Sequence, residues 1–153
     1  MKRLALNQEV IKSRLNIIEK SRESLSRFQT LKKEEFESNP DNFRITFFDL
    51  QRALEAMIDI GSHILSRFPG ARPTSYKEIA LLLEKYKILP LDFAKRKLLK
   101  MFGYRNRMVH FYYEITPGEL YQIIQKDSED LEKFCYYINQ LLVNPKRYGL
   151  EIA

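Results

Sequence analysis

Apolar residues recur every three or four positions along most of this chain, and the breaks in the pattern fall at proline and turn residues. This spacing places apolar side chains on one face of an α-helix. No stretch of the sequence alternates apolar and polar residues as a half-buried β-strand does. The sequence therefore predicts an all-α protein.

The breaks lie at 38–42, 69–73, 89–90 and 116–118, and they divide the chain into about five helices. The first predicted helix has an apolar stripe made of Leu4, Ile11, Leu15, Ile18, Leu25 and Phe28. The second has a stripe made of Phe43, Phe47, Leu50, Leu54, Met57, Gly61, Ile64 and Phe68. The last has a stripe made of Leu120, Ile123, Ile124, Leu131, Phe134, Ile138 and Leu141. Pro145 is expected to end the last helix.

The two middle helices have recognisable start signals. Ser75 is a good N-cap residue, and Glu78 three positions later makes a capping box, so we predict a short helix from Ser75 to about Lys87. Pro90 suits the first turn of the next helix, where Asp92 lies near the positive end of the helix dipole. Short connections between successive helices favour an antiparallel bundle, which we expect to be one domain over residues 1–153.

Composition limits the function classes. The 153 residues carry 26 Lys and Arg against 20 Asp and Glu, a net charge of +6, which is compatible with RNA or an acidic partner. The longest apolar run is too short to cross a membrane, so we expect a soluble, cytoplasmic protein. Cys135 is the single cysteine, which excludes an internal disulfide and a cysteine-based zinc site.

A helical wheel over residues 91–113 places Arg105 and Tyr112 inside the apolar stripe, within about 40° of Leu98. A guanidinium in such a stripe is costly unless it meets a partner. One interpretation is a structural ion pair with a carboxylate on a neighbouring helix. The other is an anion site, in which arginine makes multidentate contacts to a phosphate. The spacing alone leaves both open.

Asn106 and His110 flank that stripe and lie four positions apart, so they face the same side of the helix. Arg105 and His110 are five apart, which separates their directions by about 140°. They converge only if the helix ends near His110 or if a second protomer completes the site. Histidine exchanges protons near neutral pH, and arginine stabilises charge on phosphate oxygens, so RNA cleavage needs neither a metal nor a cofactor here. His63 lies on the second predicted helix with no polar constellation around it in sequence, and it is assigned no role.

Arg96, Lys100 and Arg107 form a separate basic face on the same predicted helix. Basic residues on one helix face are candidates for contacts with RNA phosphates. A solvated helix face is the alternative explanation for each of them.

Residues 105–112 read Arg-Asn-Arg-Met-Val-His-Phe-Tyr, which resembles the R-x4-H-x-Y signature of the HepT family in the HEPN superfamily. The stretches at 50–61, 73–76 and 101–106 also resemble that family. The resemblance extends over most of the chain, from about residue 5 to about residue 142.

The resemblance implies an HEPN-like helical bundle that is a metal-independent endoribonuclease toxin of a type VII-like toxin–antitoxin system. Arg105 and His110 would then be the catalytic pair, with Asn106 in support, at a cleft between two copies in a homodimer. The substrate would be RNA, with tRNA among the candidates. The partner would be an MntA-type nucleotidyltransferase antitoxin, which transfers AMP to the motif tyrosine, here Tyr112. Tyr113 is a second phenol beside it and an alternative acceptor.

Two other functions fit the same residues. In the first, the chain is a non-catalytic nucleotide-binding or substrate-binding subunit of a nucleotidyltransferase, and Arg105 and His110 grip a nucleotide phosphate. In the second, the chain is an interaction bundle, and Arg105 makes only a structural ion pair.

Overall fold

The structure, a computed structural model, describes residues 5–153 and confirms the all-α prediction. The α-helices are α1 (Gln8–Gln29), α2 (Lys33–Ser38), α3 (Pro40–Leu65), α4 (Tyr76–Lys85), α5 (Leu99–His110) and α6 (Pro117–Val143). A π-helical segment (Phe93–Leu98) precedes α5, and 3₁₀ turns occupy Tyr112–Glu114 and Pro145–Tyr148. Within residues 5–153, none of the helices is both long and apolar enough to cross a membrane.

The three predicted stripes form the core. Helix α1 lies along α3, and α6 packs against both of them. The fully buried residues of these stripes include Ile11, Ile18, Leu25, Leu54, Met57, Ile64, Leu120, Leu131, Phe134, Ile138 and Leu141. Leu4, which the sequence placed at the start of the first stripe, lies outside the described residues. Burial of one face on each long helix provides the main driving force for the bundle.

The helix starts follow their sequence signals with one difference. Ser75 caps α4, because its side-chain oxygen accepts a hydrogen bond from the backbone N–H of Glu78 at 3.2 Å. The Glu78 carboxylate does not return to Ser75 as a capping box requires. It instead accepts from the Thr74 hydroxyl at 2.7 Å and from the Thr74 backbone N–H. The N-terminus of α4 is therefore fixed by two residues rather than one.

Helix α2 is an additional element that the periodicity did not predict. It has six residues, which is too short for a period of 3.6 to become visible. Its Phe36 is fully buried, with ring centroids 6.4 Å from Phe28 and 5.4 Å from Tyr121. This one aromatic side chain anchors α2 to α1 and α6.

The regular helix predicted over residues 91–113 is wrong at both ends. The π-helical segment has i→i+5 hydrogen bonds, which change the phase of the residues before it, and Leu91 is consequently exposed. At the other end α5 stops at His110, so Tyr112 lies in a 3₁₀ turn and not in the apolar stripe. Between these ends α5 runs through Gly103 without interruption.

Candidate active site

Arg105 meets the partner that its position in an apolar stripe demands. Its Nε donates to Glu55 Oε1 on α3 at 2.6 Å, and its Nη1 donates to the hydroxyl of Tyr76 on α4. Its Cζ lies 4.4 Å from the centroid of the Tyr76 ring, a cation–π contact. The arginine side chain is only 14% exposed. The guanidinium is therefore fixed in direction by two neighbouring helices.

This clamp leaves part of the guanidinium available. Arginine has five N–H donors, of which the contacts to Glu55 and Tyr76 use two. Within residues 5–153, the second terminal nitrogen of Arg105, Nη2, has no hydrogen-bond partner. An arginine that is held on one side and unpaired on the other can present its remaining donors to a phosphate.

The sequence analysis did not identify Glu55 and Tyr76. Both lie in stretches that it singled out, 50–61 and 73–76, but only as resemblances to a family, with no role given to either side chain. The close approach of α4 to α3 depends on Gly61, because a Cβ there would come within 2.8 Å of Ile79 Cγ2. The position of Arg105 in an apolar stripe indicated that it needs a carboxylate partner. The residue spacing could not identify which carboxylate that is.

His110 and Asn106 form the second half of the candidate site. His110 is the last residue of α5 and is exposed, and Asn106 is exposed one turn earlier. Neither side chain makes a hydrogen bond or an ion pair with another residue in the described range 5–153. An exposed imidazole without an internal partner is free to exchange a proton with a bound molecule.

Arg105 and His110 do not contact each other in this structure. Arg105 points towards α3 and α4, whereas His110 lies five positions on, about 7.5 Å along the helix axis and about 140° around it. Asn106 shares a face with His110. A single chain thus presents a clamped cation and an exposed imidazole on one helix, with their side chains apart.

Tyr112 and Tyr113 are among the most exposed aromatic residues described here. They occupy the 3₁₀ turn after α5 and are 63% and 71% exposed. Their rings meet edge to face with centroids 5.9 Å apart. Both hydroxyl groups are accessible to a modifying enzyme, and they lie two and three residues beyond His110.

The three residues of the predicted basic face all have carboxylate partners. Their partners are Asp92 for Arg96 at 3.0 Å, Asp127 for Lys100 at 3.5 Å, and both oxygens of Glu119 for Arg107. The pair of Arg107 is half-buried and bidentate, which is typical of a structural contact between α5 and α6. The pair of Arg96 is exposed on the protein surface.

A groove of about 370 Å³ opens beside Glu55 between α1 and α3. Its lining includes Ile17, Phe48 and Arg52, with the Arg52 guanidinium 5.5 Å from the Phe48 ring centroid. Phe48 and its neighbour on the same helix, Ile45, are exposed. An apolar surface thus adjoins the residue that clamps Arg105.

The profile of the HepT-like family, described as ribonuclease HepT-like, matches residues 17–138. The chain belongs to the HepT-like family. The matched range contains the whole R-x4-H-x-Y segment as well as Glu55 and Tyr76. Membership confirms the resemblance found in the sequence, and the family's description is that of an enzyme class, the ribonucleases.

Two curated HepT relatives are similar to this chain. The tRNA nuclease HepT of Aphanizomenon flos-aquae is 31% identical over 132 residues, which is 86% of this chain and 87% of the relative. The mRNA nuclease HepT of Shewanella oneidensis is 34% identical over 86 residues, 56% of this chain and 64% of the relative. The two relatives are named for different RNA classes.

Two solved toxin–antitoxin structures contain a chain with the same fold. A tri-AMPylated HEPN toxin of Shewanella oneidensis in complex with its MNT antitoxin matches with a TM-score of 0.77 and 25% identity. The match covers 87% of this chain and 98% of that one. A toxin–antitoxin structure with AMP-PNP also has a TM-score of 0.77, at 24% identity, and supports the fold alone.

Proposed function

We propose that this chain is a cytoplasmic, metal-independent endoribonuclease toxin whose cleavage centre contains Arg105 and His110. The observation that carries the proposal is the state of these two side chains. Glu55 and Tyr76 hold Arg105 while leaving donors unused, and His110 on the same helix is exposed without an internal partner. The relatives named as tRNA and mRNA nucleases support RNA as the substrate.

The proposed reaction is transesterification within RNA. The ribose 2′-hydroxyl attacks the adjacent phosphorus, the bond from phosphorus to the 5′-oxygen breaks, and the products end in a 2′,3′-cyclic phosphate and a 5′-hydroxyl. His110 takes the proton from the 2′-hydroxyl or gives one to the leaving oxygen. Arg105 donates to the non-bridging oxygens, where negative charge grows in the transition state. Asn106, on the face of His110, orients the phosphate or the imidazole.

A homodimer would bring a second copy of the motif to the site. The exposed Phe48 and Ile45 lie on α3 beside the Glu55–Arg105 pair, and their burial against another chain would stabilise the association. The separation of Arg105 from His110 within one chain also favours a cleft that two protomers line together. A second protomer can supply the group that the first one directs elsewhere.

We further propose that an MntA-type nucleotidyltransferase neutralises the toxin by transferring AMP to Tyr112. In the transfer, the tyrosine oxygen attacks the α-phosphorus of ATP and pyrophosphate leaves. The exposure of Tyr112 two residues beyond His110 supports this regulation. A bulky anion there would block the approach of RNA by sterics and by charge repulsion. The AMPylated, antitoxin-bound structural neighbour supports the same partner class.

Among the basic residues, Arg96 is the best candidate for an RNA contact. Its surface pair with Asp92 is weak, so a phosphate can replace the carboxylate. Lys100 also has an accessible ammonium group. Arg107 is held by both oxygens of Glu119, and we assign it a mainly structural role.

The test is incubation of the purified, unmodified chain with total tRNA and with mRNA in EDTA, followed by analysis of the new RNA ends. The proposal predicts cleavage with 2′,3′-cyclic phosphate ends. The alternative, a non-catalytic nucleotide-binding subunit of a nucleotidyltransferase, predicts intact RNA together with measurable ATP binding. Its supporting observation is the same unpaired edge of Arg105, which fits a nucleotide phosphate as well as an RNA phosphate.

A further inference from the structure

A second cleft is lined by tyrosine and basic side chains. His110 lies at one end of the helical stretch formed by the π segment and α5, and this cleft lies at the other end. It has a volume of about 510 Å³ and lies between the end of α4, the last turns of α6 and the 3₁₀ turn at Pro145–Tyr148. Three tyrosines line it, Tyr136, Tyr137 and Tyr148. Tyr136 is 58% exposed, so its ring is open to solvent.

The cations of this cleft differ from those of the basic face on α5. Lys87 and Arg147 line the cleft, are exposed, and make no ion pair with any carboxylate among the described residues. Glu84 also lines the cleft, but it lies beyond ion-pair distance of both. Arg147 lies over the Tyr148 ring, with its Cζ 5.9 Å from the centroid. Unpaired cations beside open aromatic rings suit a ligand that has both phosphates and flat bases.

Lys87 has an unfavourable backbone conformation. It follows α4 with a φ of 65° and is the one non-glycine residue with positive φ among residues 5–153. It is the residue directly after the C-cap Tyr86, where glycine is preferred because a Cβ is strained in the left-handed region. Replacement by glycine would relieve that strain. The backbone conformation favours glycine here, so the presence of lysine is better explained by a role of its side chain in the cleft.

We propose that this cleft is a second RNA-binding site, which takes a single-stranded segment by stacking a base on Tyr136 and pairing phosphates with Lys87 and Arg147. The inference rests on the proposed nuclease function, since it assigns a second contact to the same substrate. The helical stretch between the cleft and His110 is about 25 Å long. A long RNA therefore spans both sites, whereas a dinucleotide reaches only one.

The experiment measures binding separately from cleavage. The full chain carrying His110→Ala, which we expect to cleave too slowly to affect a binding measurement, is titrated against a fluorescein-labelled single-stranded RNA of about 16 nucleotides, and anisotropy gives Kd. Tyr136→Ala is expected to raise Kd about five- to tenfold through loss of stacking, whereas Tyr136→Phe keeps the ring and the affinity. Lys87→Gly is expected to raise Kd while raising Tm by about 2 °C, so weaker binding cannot be attributed to unfolding. Lys126→Ala, a charge removed from the exposed face of α6, is the matched control.

The outcomes separate the proposed RNA-binding cleft from the proposed nuclease function. A raised Kd for Tyr136→Ala and Lys87→Gly, with an unchanged Kd for Lys126→Ala, supports the cleft even if the wild-type chain leaves RNA intact. An equal Kd for all these proteins overturns the cleft even if the wild-type chain cleaves RNA. Weaker binding of the nucleotidyltransferase partner, with RNA affinity unchanged, would also overturn it. In the cleaving wild-type background, the same substitutions should raise KM for tRNA relative to KM for a dinucleotide.

Discussion

Arg105 and Glu55 meet across the interface of α5 and α3, with Nε 2.6 Å from Oε1, and Tyr76 closes the other side of the guanidinium. The pair satisfies the charge that the apolar stripe would otherwise bury alone. It also determines which donors of Arg105 remain for a substrate. We therefore regard Glu55 as a positioning residue that acts through Arg105.

Glu55→Gln tests the positioning role. The amide keeps the shape and an acceptor but loses the charge that fixes the guanidinium, so we expect kcat to fall about ten- to a hundredfold, with a small change in KM. The control is Asp59→Asn, which neutralises a carboxylate one turn further along α3 that pairs with Arg14 instead. Steady-state kinetics on a dinucleotide substrate separates kcat from KM. An unchanged kcat for Glu55→Gln would reduce Glu55 to a structural partner.

Arg105→Ala distinguishes the catalytic interpretation from the structural one. Glu55 is partly solvated, so its loss of a partner should cost only about 1–2 kcal/mol in the free energy of unfolding. Cleavage should fall about a hundred- to a thousandfold in a protein that remains folded. Urea unfolding and single-turnover cleavage give the two quantities. A protein that loses most of its stability, and its activity only for that reason, would favour the interaction bundle.

The long helices were the predictable part of this fold. The apolar stripes that contain Ile11, Leu54 and Phe134 reflect the local periodicity of each helix, which depends on nothing outside that helix. The need of Arg105 for a partner was also readable, because desolvation of a charge is a local cost. The identity of that partner was not, since Glu55 is 50 positions away in the sequence and only packing joins the two.

The prediction that Tyr112 lies inside the apolar stripe was wrong for a different reason. The wheel assumed one regular helix over residues 91–113, and a π segment at one end and a stop at His110 broke that regularity. Hydrogen-bond patterns that change within a helix leave no simple mark on apolar spacing. The sequence identified the R-x4-H-x-Y segment but not the three-dimensional arrangement of its side chains.

Tyr112→Phe and Tyr113→Phe identify the modified hydroxyl. On co-expression with the nucleotidyltransferase partner, we expect intact mass to show AMP additions on the wild-type chain and on Tyr113→Phe. We expect none on Tyr112→Phe, because phenylalanine has no oxygen to attack the nucleotide. Tyr113→Phe is the matched control, since its ring is adjacent and similarly exposed. Additions that persist on Tyr112→Phe and vanish on Tyr113→Phe would move the target by one residue.

The environment of His63 predicts that the folded protein loses stability in acid. Its Nε2 accepts a hydrogen bond from the Asn7 backbone N–H at 3.0 Å, which requires the neutral ring. Burial, and then the charge of Arg67, lowers the pKa of His63 in the folded chain below its ordinary value of 6.5. Its contribution is therefore present above pH 6.5 and is lost as the pH falls through the lowered pKa.

Urea unfolding of the wild-type chain and of His63→Gln, at pH values on both sides of 6.5, measures this effect. Glutamine keeps an acceptor for Asn7 but does not titrate, so the variant should lose less stability between the two conditions. Equal losses for the two proteins would show that other groups cause the acid sensitivity.

The most direct measurement is RNA cleavage by the purified, unmodified chain in EDTA, with His110→Ala and His63→Gln assayed beside it. The two variants each remove one of the two histidines, and only His110 lies in the candidate site. We expect the wild-type chain and His63→Gln to cleave tRNA at similar rates, and His110→Ala to be slower by about a hundred- to ten-thousandfold. Cleavage by His110→Ala at the wild-type rate would contradict the account.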